Sequence, residues 1–199
     1  MLLKLLPKQE KSNFLLIAEL LTICDKPIYL NGKELLIIAP KVNFILVDKQ
    51  FLDEFLIDIK SITIQKNKKE GQLIADLKNE GDDFIHSECG ILETKLIEKI
   101  ATYPLHSIPE PETRLMAALA VLKSLLTEKK SEFPSVPKLM IFELMQVALF
   151  DGNISNIKSK LLNEFKNHYK LEDYVFDELL EQAKVTSREI NKTITIIFE

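Results

Sequence analysis

Residues that turn a chain are scarce in this sequence. Five Gly and eight Pro are spread over 199 residues, and Trp is absent. An all-β fold needs a turn about every 8–12 residues, and those turns draw on Gly and Pro. The shortage favours helices. Abundant Leu, Lys and Glu point the same way, because straight-chain side chains lose little rotamer freedom in a helix.

Domains hold about 100–200 residues, so one compact domain is the default. Hydrophobic residues make up 46% and charged residues 28%, which is globular usage. A chain of this size buries roughly 70% of its unfolded surface and needs no disulfide or metal to fold. The net charge of −4, from 26 basic and 30 acidic residues, is too small and too mixed for a nucleic-acid footprint. Cys24 and Cys89 make no disulfide framework and fit a reducing compartment. The run Met1 to Pro7 is too short for a signal sequence, and no apolar run approaches the ~18 residues of a membrane span. The expectation is a cytoplasmic protein without a transmembrane segment or a nucleic-acid partner.

Phe14, Ile17, Ala18, Leu21 and Cys24 recur at helical spacing and predict a helix over 12–24, capped by Ser12 and ended before Pro27. The segment 35–47 reads either as a short strand or as a helix followed by a loop. Asp48 then caps a helix with Phe51, Leu52, Phe55, Leu56 and Ile59 on one stripe. Residues 61–65 alternate, and 66–70 is a charged, exposed stretch. Leu73, Ile74 and Leu77 mark another helix, and Leu92, Leu96, Ile97 and Ile100 the next. Pro104, Pro109 and Pro111 make the best internal boundary, since proline blocks helix and interior strand alike.

Beyond it, Leu115, Leu119, Leu122 and Leu126 form a stripe, with Pro111 near its start. Phe133 to Pro137 breaks the chain again. Residues 139–150 are apolar nearly all round and predict the central buried helix, stopped by Asp151-Gly152. Ser155 caps a helix carrying Ile157, Leu161, Phe165 and Tyr169. Val175, Phe176, Leu179, Leu180 and Ala183 mark one more. Residues 193–198 are β-branched and read as a packed helix tail or a terminal strand. The expected fold is all-α: a single helical bundle of about seven to nine helices over 1–199. Residues 1–103 and 111–199 are candidate halves, and minor strand content is open at 35–47 and 193–198.

Two segments look like a diverged duplication. LLIAELLTICDKPI at 15–28 and IFELMQVALFDGNI at 141–154 are both apolar helices that close in Asp, with Ile three residues on. Within the second, Val147-Ala148-Leu149-Phe150-Asp151-Gly152-Asn153-Ile154-Ser155 leads into an amphipathic helix, then His168-Tyr169-Lys170-Leu171-Glu172 and Phe176-Asp177-Glu178-Leu179-Leu180. This stretch, about a quarter of the chain, resembles the TerB-like (tellurite-resistance) family, with 15–34 as a degraded first copy. The resemblance implies an all-helical accessory domain that docks on a protein partner in stress-linked assemblies. It also implies a divalent-metal spot on acidic residues, here Asp25, Glu34 and Asp151. The chain departs from the family pattern twice: Lys158 stands where the family places Glu, and Lys26 where the first copy would have Gly. A hard divalent cation wants six or more oxygens, several of them carboxylate.

Asp25 and Asp151 could face each other across the repeat and share a cation. Asp151-Gly152 is equally a plain helix stop, with Gly152 at positive φ and Asp151 bonded to local backbone; the residues favour that reading. Asp82, Asp83, His86, Glu88 and Cys89 mix metal-ligand types at short spacing. They would serve a metal-dependent enzyme, or else form a solvated loop with one buried Cys. Zinc needs three or four good ligands and a supporting shell, and no paired cluster accompanies these. His106 lies among prolines, and His168 suits a helix C-terminus. Neither has a nucleophile or carboxylate at a catalytic spacing. No nucleophile elbow, zincin, P-loop or dinucleotide fingerprint occurs. Lys123, Glu128, Lys129 and Lys130 read as a solvated helix end. A non-catalytic interaction domain is therefore expected. A metal-dependent enzyme and an unrelated phage or regulatory accessory bundle are its rivals.

Overall fold

The computed structural model describes residues 3–38, 62–65, 68–79, 91–103, 107–126 and 133–198. The helix expected after Asp48, the 82–89 cluster and His106 lie outside the described residues.

Helix α1 spans Lys8–Ile23. It starts a turn before the expected Ser12, which lies inside it. Lys8, Gln9 and Glu10 give no apolar signal yet are good helix formers. Pro7 precedes them in an extended conformation, and its carbonyl accepts from the Lys11 N–H. From Phe14 to Cys24 nearly every side chain of α1 is buried.

The neighbours of α1 explain that burial. It packs most extensively on α6 (Ser135–Ala148), and also on α3 (Lys68–Asn79), α4 (Ile91–Ala101) and α5 (Pro111–Leu126). The expected central helix, α6, is buried nearly all round. It shares that position with α1, so the core is built on two apolar helices. Helix α6 starts inside the proline-rich stretch that was expected to break the chain. Pro137 is harmless in a first turn, where its missing N–H has no intrahelical partner to lose.

Around this pair, α4 packs on α5, and α5 on α7 (Asn156–His168). Helix α6 meets both α7 and α8 (Asp173–Phe198). Pro111 is the first residue of α5, as expected. The buried face of α5 is Ala117, Ala118, Val121 and Leu122, whereas Leu115 and Leu119 are only partly buried.

A small sheet completes the fold. Strands β1 (Ile28–Leu30), β2 (Lys33–Glu34) and β3 (Ile62–Ile64) lie in the order β2-β1-β3, antiparallel throughout. Tyr29 pairs with Glu34, and Ile28 with Ile64. Asn31 and Gly32 both take positive φ, 51° and 75°, which makes the tight β1–β2 turn. The alternation at 61–65 is strand β3, with Ile62 and Ile64 buried and Thr63 exposed. Of the ambiguous 35–47 segment, Leu35–Ile38 is a single helical turn, α2, and the remainder lies outside the described residues.

Residues 193–198 are helical, the end of α8, and not a strand. Residues 193–197 are not held by packing, and Ile194, Ile196 and Ile197 are exposed. Among the described residues, no helix is long and apolar enough to cross a membrane.

Candidate functional site

The two apolar segments that look duplicated end at the same place. Helix α1 closes at Cys24 and α6 at Leu149, and the residues that follow converge on one lysine. Lys158 Nζ lies 3.7 Å from Asp25 Oδ2 and 3.8 Å from Asp151 Oδ2. Its side chain is only 3% exposed. Lys26 reaches over from the first segment, and its Nζ donates to Asp151 Oδ2 at 3.2 Å. From α5, Arg114 Nη1 donates to the carbonyls of Lys26 at 3.3 Å and Asp25 at 3.5 Å.

Local structure accounts for each position. Helix α6 ends at Ala148 with Leu149 as its C-cap; the Gly152 N–H then donates to the Leu149 carbonyl, and Gly152 at φ 88° closes this following turn with Asp151 on its outside. Ser155 caps α7, its Oγ accepting from the Lys158 N–H at 3.3 Å. Lys158 is thus the third residue of α7, the position an acidic side chain favours because the N-terminal dipole end is positive. A lysine there works against its own helix. It gains instead from two other helices, since the C-terminal ends of α1 and α6 are the negative ends of their dipoles. Two carboxylates add to that field.

Lys26 and Lys158 are matched by Asp25 and Asp151, while the Arg114 charge is held by backbone carbonyls. Burying Lys158 alone would cost several kcal/mol, and the two carboxylates are what offsets this. The satisfaction is incomplete. Asp25 Oδ1 and Arg114 Nε are both buried and make no hydrogen bond. Cys24 lies beside the cluster with its Sγ–H directed at the Leu21 carbonyl, 3.6 Å away. Burial raises the Cys24 thiol far above its ordinary range. The Asp25 charge adds to the rise, and Lys158 partly opposes it. Such a thiol stays protonated and inert.

Asp25 and Asp151 converge on the chain's own ammonium group, Lys158. Glu34 is placed on β2 opposite Tyr29. Asp151 is oriented toward Lys26 and Lys158 rather than serving only as a local turn residue. Among the described residues, no group of three or more His, Cys, Asp or Glu side chains is arranged to hold a metal ion. His168 is exposed at the end of α7 and edge-on to Tyr169, 4.8 Å between ring centres.

Sequence reasoning noticed Lys158 and Lys26 as departures from a pattern, and missed Arg114. Lys158 had a signal of its own. It precedes Leu161 and Leu162 by three and four residues, so it falls on the buried face of α7. Arg114 had none, because its partners are backbone carbonyls 89 and 88 residues away.

No family model, curated protein or solved structure matches this chain.

Proposed function

We propose that the chain is a non-catalytic helical accessory domain of the TerB-like kind, docking on a protein partner in a stress-linked assembly. The observation that carries this reading is the occupation of the charged centre by Lys158. A site that handled a substrate or a hard cation would keep its carboxylates open to solvent or ligand. Here they are engaged by two lysines, and the lysine at the centre is buried. The arrangement joins the ends of α1 and α6 to the start of α7, which is a scaffolding task.

A surface feature supports the docking role. A half-open cleft of about 480 Å³ separates the start of α6 from the α7–α8 connection. Phe133, Pro134 and Tyr174 line it together with Lys138 and Lys170. Exposed aromatic and proline groups beside cations suit a protein ligand.

The test is elemental analysis of the native protein, followed by calorimetric titration with Mg²⁺, Ca²⁺, Mn²⁺ and Zn²⁺. The expected result is no stoichiometric metal and no saturable heat. Zinc or manganese retained at one per chain, and lost in His86→Ala, would replace this reading with a metal-dependent enzyme. A reproducible hydrolase or transferase activity abolished by one substitution would reject it as well.

A further inference from the structure

The clearest violation of ordinary burial lies at the far end of α8. Its inner half packs normally: Phe176 and Ala183 are buried, Leu180 partly so, and Gln146 of α6 donates to the Ala183 carbonyl at 3.1 Å. These three residues follow one another at steps of four and three. The same alternation continues through Ser187, Ile190, Ile194 and Ile197. From Ile190 onward that stripe is exposed among the described residues. Ile190 is 52% exposed, Ile194 48% and Ile197 68%.

We propose that the free half of α8 is a self-association surface that pairs, antiparallel about a two-fold axis, with the same segment of a second copy. Steps of three and four residues make a narrow seam, the pattern of a coiled coil, whereas a helix lying on a membrane presents a broader apolar face. The seam is continuous with the stripe that already packs inside the molecule, so one helix serves two interfaces in one register. Ile190 then stands opposite Ile194 of the second copy, and Ser187 opposite its Ile197.

The flanking positions allow two copies to meet. In this register Asn191 and Thr193 lie beside the two-fold axis, and neither is charged, so no like charges are brought together. The free half, Lys184 onward, is about 22 Å long, and antiparallel pairing sets the two bodies at opposite ends. A seam this short falls below the roughly 800 Å² per partner of a standard interface. The structure offers the remainder beside it. A cleft of about 410 Å³ opens between α7 and the free half of α8, walled by Leu149, Ile154 and Leu162 and edged by Ser187. The small Ser187 leaves room there, and Ile197 of the second copy is the residue placed to fill it.

Sedimentation equilibrium of the full chain over a wide concentration range tests this directly. Wild type is expected to be a reversible dimer. The double variant Ile190→Asp/Ile194→Asp is expected to weaken association by roughly a hundredfold or more. Its body should still unfold in one cooperative transition, as a denaturant curve would show. Ile196→Asp, at an exposed position off the seam, should leave the dimer intact. Three results would overturn the proposal: a wild type monomeric throughout, a dimer indifferent to the double variant, or a monomer whose α8 binds phosphatidylserine vesicles.

Discussion

Two regions of this molecule invert the usual distribution of side chains, and they do so in opposite ways. At the meeting of α1, α6 and α7, a lysine lies inside, held by two partly exposed carboxylates. On the outer half of α8, isoleucines lie outside. The first inversion is closed by partners within the chain, because each cation faces a carboxylate or a backbone carbonyl. The second has no partner among the described residues. The contrast separates a polar feature that holds a fold together from an apolar one that is available to something else.

The largest effect that could break this comparison is at Lys158. Lys158→Ala should destabilise the protein by about 2–3 kcal/mol, because it leaves Asp25 without its ammonium partner at the C-terminal end of α1 and Asp151 with Lys26 alone. Urea unfolding measures it. Removing Asp25 as well should recover part of the loss, since the orphaned charge is what costs most. A loss below about 1 kcal/mol in the single variant would mean that the cluster is solvated and not structural.

A smaller effect sharpens the comparison at the junction between the regions. Helix α7 ends in a Schellman arrangement: the Leu171 N–H donates to the Lys166 carbonyl, and the Lys170 N–H to that of Asn167. Lys170 sits at φ 52°, a conformation better suited to glycine. Lys170→Gly should therefore stabilise the chain by roughly 0.5–1 kcal/mol, raising the denaturation midpoint.

Smaller still is the surface pair that starts α8. Lys166 donates to Asp173 at 2.8 Å, and this bond, with the lysine's charge, holds the Asp173 carboxyl below its ordinary value of 3.8. A carboxyl depressed in the folded state contributes stability above its unfolded value and loses it as pH falls through the folded one. Asp173→Asn should thus be slightly less stable than wild type at neutral pH, and the difference should vanish in acid. Because Asp173 is 85% exposed, solvent screens the pair and the shift will be slight. The weakest expected effect is on the other side of the comparison. Ile196→Lys, at 75% exposure, should change unfolding free energy by no more than about 0.5 kcal/mol.

Much of the fold was legible in local pattern. Helix α6 announced itself by apolar residues on every face, and the turn at Gly152 and the cap at Ser155 followed from turn and capping chemistry. The β1–β2 hairpin was just as legible and was missed. Asn31-Gly32 between short apolar segments is a strong hairpin signal, since both residues tolerate positive φ. The start of α1 was hidden because Lys8, Gln9 and Glu10 carry no apolar signal. The charged centre was half legible. Asp25 and Asp151 stood out through the repeat, but their meeting with Lys158 depends on three helix ends reaching one point, which no local window contains. The exposure of α8 was illegible for a related reason. Its stripe has the same spacing whether or not a neighbour covers it.

The position of α1 carries a cost during synthesis. Lys26 and its partner Asp151 are 125 residues apart, and α1 finds its main neighbour, α6, only after most of the chain has been made. Until then the apolar stretch from Phe14 to Cys24 lacks that main neighbour, the state in which nascent chains stick to one another. Contacts this distant in sequence also slow the search for the native arrangement. A holding chaperone that covers α1 would therefore matter more to the yield of this protein than to its final stability.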